Sequence, residues 1–176
     1  MVDIRYKQRI CEDKEKIDRF LSTVRTGILS MPTDSEVYAV PLNFIYYNNA
    51  IYFHGLASGR KEDILSKHPI CCFNVYKEYG TVKDAMPCHA DTAYFSIILF
   101  GTVTTIDNPK EKADLLNILV EKYMPGFYQK SLDKTLLENY KSGHDDQVVQ
   151  VHKLIIDNLT AKENIASDSD LFEKLS

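Results

Sequence analysis

Apolar residues recur along the chain in two rhythms, one helical and one extended. Over residues 12–24, Ile17, Phe20, Leu21 and Val24 fall at spacings of three, four and seven, which predicts an amphipathic helix. Residues 27–31 predict a short strand, stopped by Pro32 and the turn-forming Thr33-Asp34-Ser35. Residues 37–47 are rich in β-branched and aromatic side chains, Asn48-Asn49 is a turn pair able to take positive φ, and residues 50–54 return, so the stretch reads as a β-hairpin. Pro41 is an anomaly inside that strand. Proline cannot donate to a ladder, so it marks an edge, a bulge, or a place where a ligand replaces a neighbouring strand.

Residues 60–68 predict a short helix with Ile64 and Leu65 inward, and residues 70–76 a strand. Residues 77–91 read as a polar, irregular stretch. The longest strand spans 93–106, with Gly101 marking a bulge or a close backbone approach. Asp107-Asn108-Pro109 caps a helix over about 110–123, with Ala113, Leu116, Leu119 and Val120 on one face. A weaker helix over 132–140 and a last strand over 147–156 follow. Residues 1–10 and about 166–176 read as polar ends of a single domain, 1–176. Strands in close succession, with helices in only some connections, do not give the regular alternation of a parallel α/β fold. A small antiparallel barrel with helices in its crossings fits better.

Composition narrows the function classes. Of the 176 residues, 44% are apolar and 26% charged, ordinary values for a globular domain able to bury a core. A net charge of −4 disfavours non-specific nucleic-acid binding, so any anion site has to be a local cluster. No apolar run approaches the roughly 20 residues of a membrane span, and the charged N-terminus lacks the apolar stretch of a secretory signal. A cytoplasmic location is expected. Cys11, Cys71, Cys72 and Cys88 include no C-x-x-C pair and fit reduced thiols.

The chemistry concentrates in Ser58-Gly59-Arg60-Lys61. A guanidinium, an ammonium, a serine hydroxyl and helix N-terminal amides are the donors a phosphate needs, and Gly59 allows close backbone approach. The plainer alternative is a solvated Arg-Lys pair opening a surface helix. His54, at a strand end beside this loop, reads as a ligand donor, a proton source, or a satisfied strand-end histidine. Vicinal Cys71 and Cys72 point to opposite sides of a strand and, with Cys88-His89, match no zinc spacing. No G-x-x-x-x-G-K-[ST], G-x-G-x-x-G or G-x-S-x-G occurs. The histidines His54, His68, His89, His144 and His152 have no catalytic partner that spacing assigns.

The runs VPLNF, IYFHG, SGRKEDIL and HPICCFNV, then AYFSIILFGTVTTIDNPKEKADLLNILVEKY and VVQVHKLIIDNLTAK, occur in an order that resembles the flavin-binding split-barrel proteins related to pyridoxamine 5′-phosphate oxidase. Within them the chain looks most like the branch of nitroimidazole-resistance (Nim) proteins, over roughly residues 12–165. The resemblance implies a six-stranded antiparallel split β-barrel with peripheral helices, and an FMN-binding homodimer with flavins between the subunits. It implies contacts along the flavin from Val40, Pro41, Leu42 and Asn43, largely through backbone groups. Phe53 and His54 would touch the ring, with His54 the candidate catalytic residue. Ser58, Arg60 and Lys61 match the phosphate positions, and Ser96 a polar position reaching the flavin, in one reading from the partner subunit. Reduction of a small aromatic or nitroaromatic compound, a 5-nitroimidazole for one, is the implied activity. A non-catalytic flavin- or haem-binding protein is the alternative. Two departures argue against pyridoxine phosphate as substrate: Phe95 stands where those oxidases carry a basic residue, and their C-terminal arginine motif is missing.

Overall fold

The computed structural model describes residues 5–139, 143 and 146–172. One antiparallel sheet of seven strands dominates, in the order β2-β1-β5-β6-β7-β4-β3. The strands are β1 (Thr26–Pro32), β2 (Val37–Asn43), β3 (Ile45–Tyr47), β4 (Ala50–Leu56), β5 (Ile70–Val82), β6 (Asp91–Thr105) and β7 (Val149–Asn164). Around them lie α1 (Lys14–Thr23), α2 (Arg60–Leu65), α3 (Pro109–Tyr123) and α4 (Lys134–Asn139). The strand count corrects the expected six, and the barrel is not closed: β2 and β3 are opposite edges of the sheet.

The seventh strand arises at Phe44. Residues 37–47 read as one strand because Phe44 is as good a strand former as its neighbours, yet it leaves the ladder. Its N–H donates to the Tyr123 hydroxyl at 2.9 Å, and its carbonyl accepts from Lys122 Nζ at 3.0 Å. Side chains of α3 therefore satisfy the backbone that a neighbouring strand would otherwise have to satisfy. Its ring is fully buried, edge-on to Phe73 at 5.1 Å. One residue thus carries the chain from one edge of the sheet to the other, which rolls the sheet without sealing it.

The interior of the roll is apolar. Leu29, Met31, Phe53, Phe73, Phe95, Ile97, Leu99 and Leu154 fill it, and α1 caps it with Ile17, Phe20 and Leu21. Asp13 starts α1 by accepting from the Lys16 N–H at 3.0 Å, and Asn108 starts α3 by accepting from Lys110 and Glu111. A second, smaller core joins α3 (Leu115, Leu116) to the other face of β3, β4 and β7 through Ile45, Ala50, Tyr52 and Val151. The turn of the predicted hairpin is as read, with Asn48 at φ 48° and Asn49 at φ 57°. No described helix is long and apolar enough to cross a membrane.

Two strands run beyond their apolar stretches. β5 continues through the expected irregular segment to Val82, with a bulge between Glu78 and Gly80. β7 continues over polar residues to Asn164, burying Ala161. The register of β6 and β7 shifts at Gly101, where Asp157 is the extra residue of β7. A Cβ on Gly101 would lie 1.9 Å from the Ile155 carbonyl oxygen, so the bulge demands glycine. Leu171 bridges Val82 and ties down part of the expected tail, whose residues 173–176 lie outside the described ones.

Candidate functional site

Gly59, at φ 109°, adopts a conformation that side-chain-bearing residues rarely take, and turns the chain from the end of β4 into α2. That turn sends Arg60 and Lys61 in different directions. Arg60 pairs with Glu36 at the entrance of β2, and its guanidinium lies 4.4 Å from the centre of the Tyr38 ring. Lys61 folds back over β4, pairs with Glu62, and places its ammonium 5.6 Å from the centre of the Phe53 ring. A Cβ at Gly55 would meet that ammonium at 2.9 Å, so Gly55 leaves the room Lys61 occupies. The α2 segment thus touches both the β2 side and the β4 side of the open roll.

Behind Lys61 lies a feature the spacing of residues did not reveal. His152, on β7 opposite Phe53, is only 1% exposed, and its ring stacks on that of Phe53 at 5.1 Å. Its Nε2 lies 3.0 Å from Glu62 Oε1, the same oxygen that accepts from Lys61. A carboxylate only accepts, so Nε2 carries the proton. Nδ1 is buried and has no hydrogen-bond partner among the described residues. Burial, and then the Lys61 cation, hold the His152 pKa below the usual imidazole value, partly opposed by Glu62. The ring is neutral near pH 7. A signal for this histidine was present in the chain: it falls in step with Leu154 on the inward face of an apolar strand.

The other predicted residues sort by face. Phe53 is 1% exposed, beneath Lys61, whereas His54 points to the opposite side of β4 and keeps an exposed surface. Burial of its remaining surface, with Lys61 second, lowers the His54 pKa. On β2 the side chains of Val40 and Leu42 pack against the main core, while Pro41 and Asn43 are exposed. Because β2 is an edge strand, its outer side has no ladder partner among the described residues, and this is where Pro41 falls. Ser58 is exposed at the loop.

Ser96 is elsewhere. It pairs with Tyr76 and Lys162 on the outward face of β6. The position opposite it on β7, Lys162, is separated from Val151, the position opposite His54, by a strand run of roughly 36 Å at about 3.3 Å per residue. The same outward face carries exposed Ile28, Ile98 and Phe100. Within one chain the structure does not bring Ser96 to Arg60 and Lys61.

No described group of three or more His, Cys, Asp or Glu could hold a metal. Burial pushes the Cys71 thiol up to about 11, which makes it a small core hydrophobe. His89 and Cys88 are exposed, and His144 lies outside the described residues. Two clefts, of about 390 and 590 Å³, flank the end of α1 near Arg25, and neither is lined by a residue of the candidate site. The site is an open surface between β2, α2 and the end of β4. It offers donors (Arg60, Lys61), an unpartnered strand edge, and a buried histidine–carboxylate pair. An anion reaching it would compete with Glu36 for Arg60 and share Lys61 with Glu62.

Comparison with known proteins gives the same fold and a family. Residues 13–158 match the model of a family described as pyridoxamine 5′-phosphate oxidase. A search of curated protein sequences finds no match. Among solved structures, the flavocytochrome Anf3 from Azotobacter vinelandii is 20% identical with a TM-score of 0.74, covering 96% of this chain and 77% of that one. The FAD and heme binding protein from Mycobacterium smegmatis is 21% identical with a TM-score of 0.72, covering 92% and 78%. A protein from Bacteroides thetaiotaomicron named for 5-nitroimidazole antibiotic resistance is 24% identical with a TM-score of 0.68, covering 87% and 85%. At these identities the likeness is one of fold.

Proposed function

The chain belongs to the pyridoxamine 5′-phosphate oxidase family, and on that premise we propose that it is an FMN-dependent oxidoreductase acting on a small aromatic or nitroaromatic compound. The observation that carries the reading is the placement of Arg60 and Lys61 between the free edge of β2 and the end of β4. The seven residues of β2 extend for roughly 23 Å at about 3.3 Å per residue, a length along which a ligand with a flat ring at one end and a phosphate at the other could lie. Arg60, Lys61 and the Ser58 hydroxyl hold the phosphate. The backbone of Val40, Pro41, Leu42 and Asn43, unpaired on its outer side, lies along the ring and ribityl chain. Bound flavin supplies electron or hydride transfer at its N5. His54, with its lowered pKa, is neutral near pH 7 and presents a nitrogen that accepts or returns a proton beside that ring.

A homodimer completes this reading. Ile28, Ile98 and Phe100 form an exposed apolar face around Ser96, which a second copy would cover, bringing its own Ser96 toward the ligand. Location in the cytoplasm belongs to the same proposal. The candidate substrate, a 5-nitroimidazole, takes its support from the Bacteroides relative's name.

The purified protein is expected to be yellow, to bleach under a chemical reductant and to recover its colour faster when a nitroimidazole is added. Bound flavin that no such compound reoxidises would sink the enzymatic half of the proposal. A second reading is a non-catalytic flavin or haem carrier, and the names of two structures of similar fold support haem as its ligand. A Soret band in the spectrum indicates haem in place of flavin alone.

A further inference from the structure

Both cations of the candidate site are already paired with carboxylates, and the two pairs are built differently. Arg60 and Glu36 form a surface pair, with about half of each side chain exposed. Lys61 and Glu62 are largely covered, and Glu62 Oε1 also accepts from the buried His152. The carboxylate that anchors the Lys61 ammonium is thus itself anchored from behind.

We propose that His152 is a positioning residue for the ligand's phosphate: by donating from Nε2 to Glu62 Oε1, the oxygen that also accepts from Lys61, it fixes that carboxylate and through it the Lys61 ammonium at the end of β4. The proposal rests on the flavin reading above. Three observations carry it. The ring is fixed by its stack on Phe53, at 5.1 Å and 28° between planes, so the direction of Nε2 is set by the core. Nε2 to Glu62 Oε1 is 3.0 Å, an ordinary bond to a charged acceptor. The other ring nitrogen is buried with no partner among the described residues, a cost an apolar side chain of similar size would avoid. Packing alone therefore does not account for a histidine here. Lys61, Glu62 and Lys112 are the charged groups that act on this ring, and the net effect of burial and the two lysines keeps it neutral and able to donate.

His152 acts only through Glu62, and that makes the proposal testable by a double-mutant cycle on the full chain. Affinities for FMN and for riboflavin, which lacks the phosphate, are read by flavin fluorescence in H152L, H152Q, E62Q and H152L/E62Q. In H152L Glu62 loses its anchor and Lys61 its fixed position, and FMN binds about tenfold more weakly, with riboflavin within about twofold of the native chain. H152Q, whose amide donates from nearly the position of Nε2, keeps native FMN affinity. Against E62Q, the added H152L costs FMN about twofold at most.

FMN affinity unchanged in H152L, or FMN and riboflavin weakened alike, overturns the assignment, as does a full tenfold loss on adding H152L to E62Q. If H152L does not fold, His152→Asn, too short to reach Glu62, takes its place in the same cycle. A native chain that binds neither FMN nor riboflavin defeats the flavin reading itself, a different result from native binding that the variants leave untouched.

Discussion

Arg60 and Lys61 are adjacent in sequence yet set up to respond to a ligand in different ways. The exposed Arg60–Glu36 pair contributes at most about 1 kcal/mol, so an incoming phosphate recruits Arg60 at little cost. Glu36→Gln should therefore tighten FMN binding by no more than about fivefold. If the two cations hold the phosphate as proposed, Arg60→Ala and Lys61→Ala each remove a charge-assisted bond worth about 1.5–3 kcal/mol, and each should weaken FMN tenfold or more while sparing riboflavin. Titration of each variant with both flavins checks this, and equal losses for the two would place the phosphate elsewhere. The sequence announced the two cations but not the Glu36 that pairs with Arg60 or the His152 that stands behind Glu62. Glu36 lies 24 residues before Arg60, and the His152–Glu62 bond spans 90 residues, so no local spacing encodes either.

At the scale of elements, the bulge between β6 and β7 makes the sharpest demand. Gly101→Ala drives a methyl group into the Ile155 carbonyl, and backbone cannot swing aside as a side chain can. Destabilisation of roughly 3 kcal/mol is expected in chemical denaturation; a loss below about 1 kcal/mol would mean that the two strands slide to a new register at little cost. Gly101 was readable in the sequence because glycine weakens the interior of a long apolar strand, so its presence there marks a bulge or a tight backbone approach. The hairpin turn at Asn48-Asn49 and the caps Asp13 and Asn108 act within a few residues of themselves, and they too fall within or beside elements the sequence predicts. What escaped was set from afar. The break at Phe44 depends on Lys122 and Tyr123, almost eighty residues on. The ends of β5 and β7 are polar, and they are strands because a partner lies alongside, not because of their own apolar pattern.

Taken as a whole molecule, the chain should be acid-sensitive for a reason located in the site. His54 and His152 both have pKa values lowered in the folded state, by burial first and by Lys61 second. The unfolded chain then binds protons more readily, so their contribution to stability is complete above about pH 6.5 and is lost as pH falls through that value toward the lowered ones. Melting temperatures between pH 7.5 and 5.5 should fall, and fall less steeply in His152→Gln; identical slopes would assign the acid limb to other groups. A final consequence follows from the strand that stays unpartnered. An open edge is a template on which a stray extended segment can dock and begin a fibre. Pro41 subtracts a donor from the middle of β2, so a would-be added strand meets a gap in its hydrogen-bond row. Whether or not a ligand lies there, Pro41 guards this edge against strand-to-strand addition.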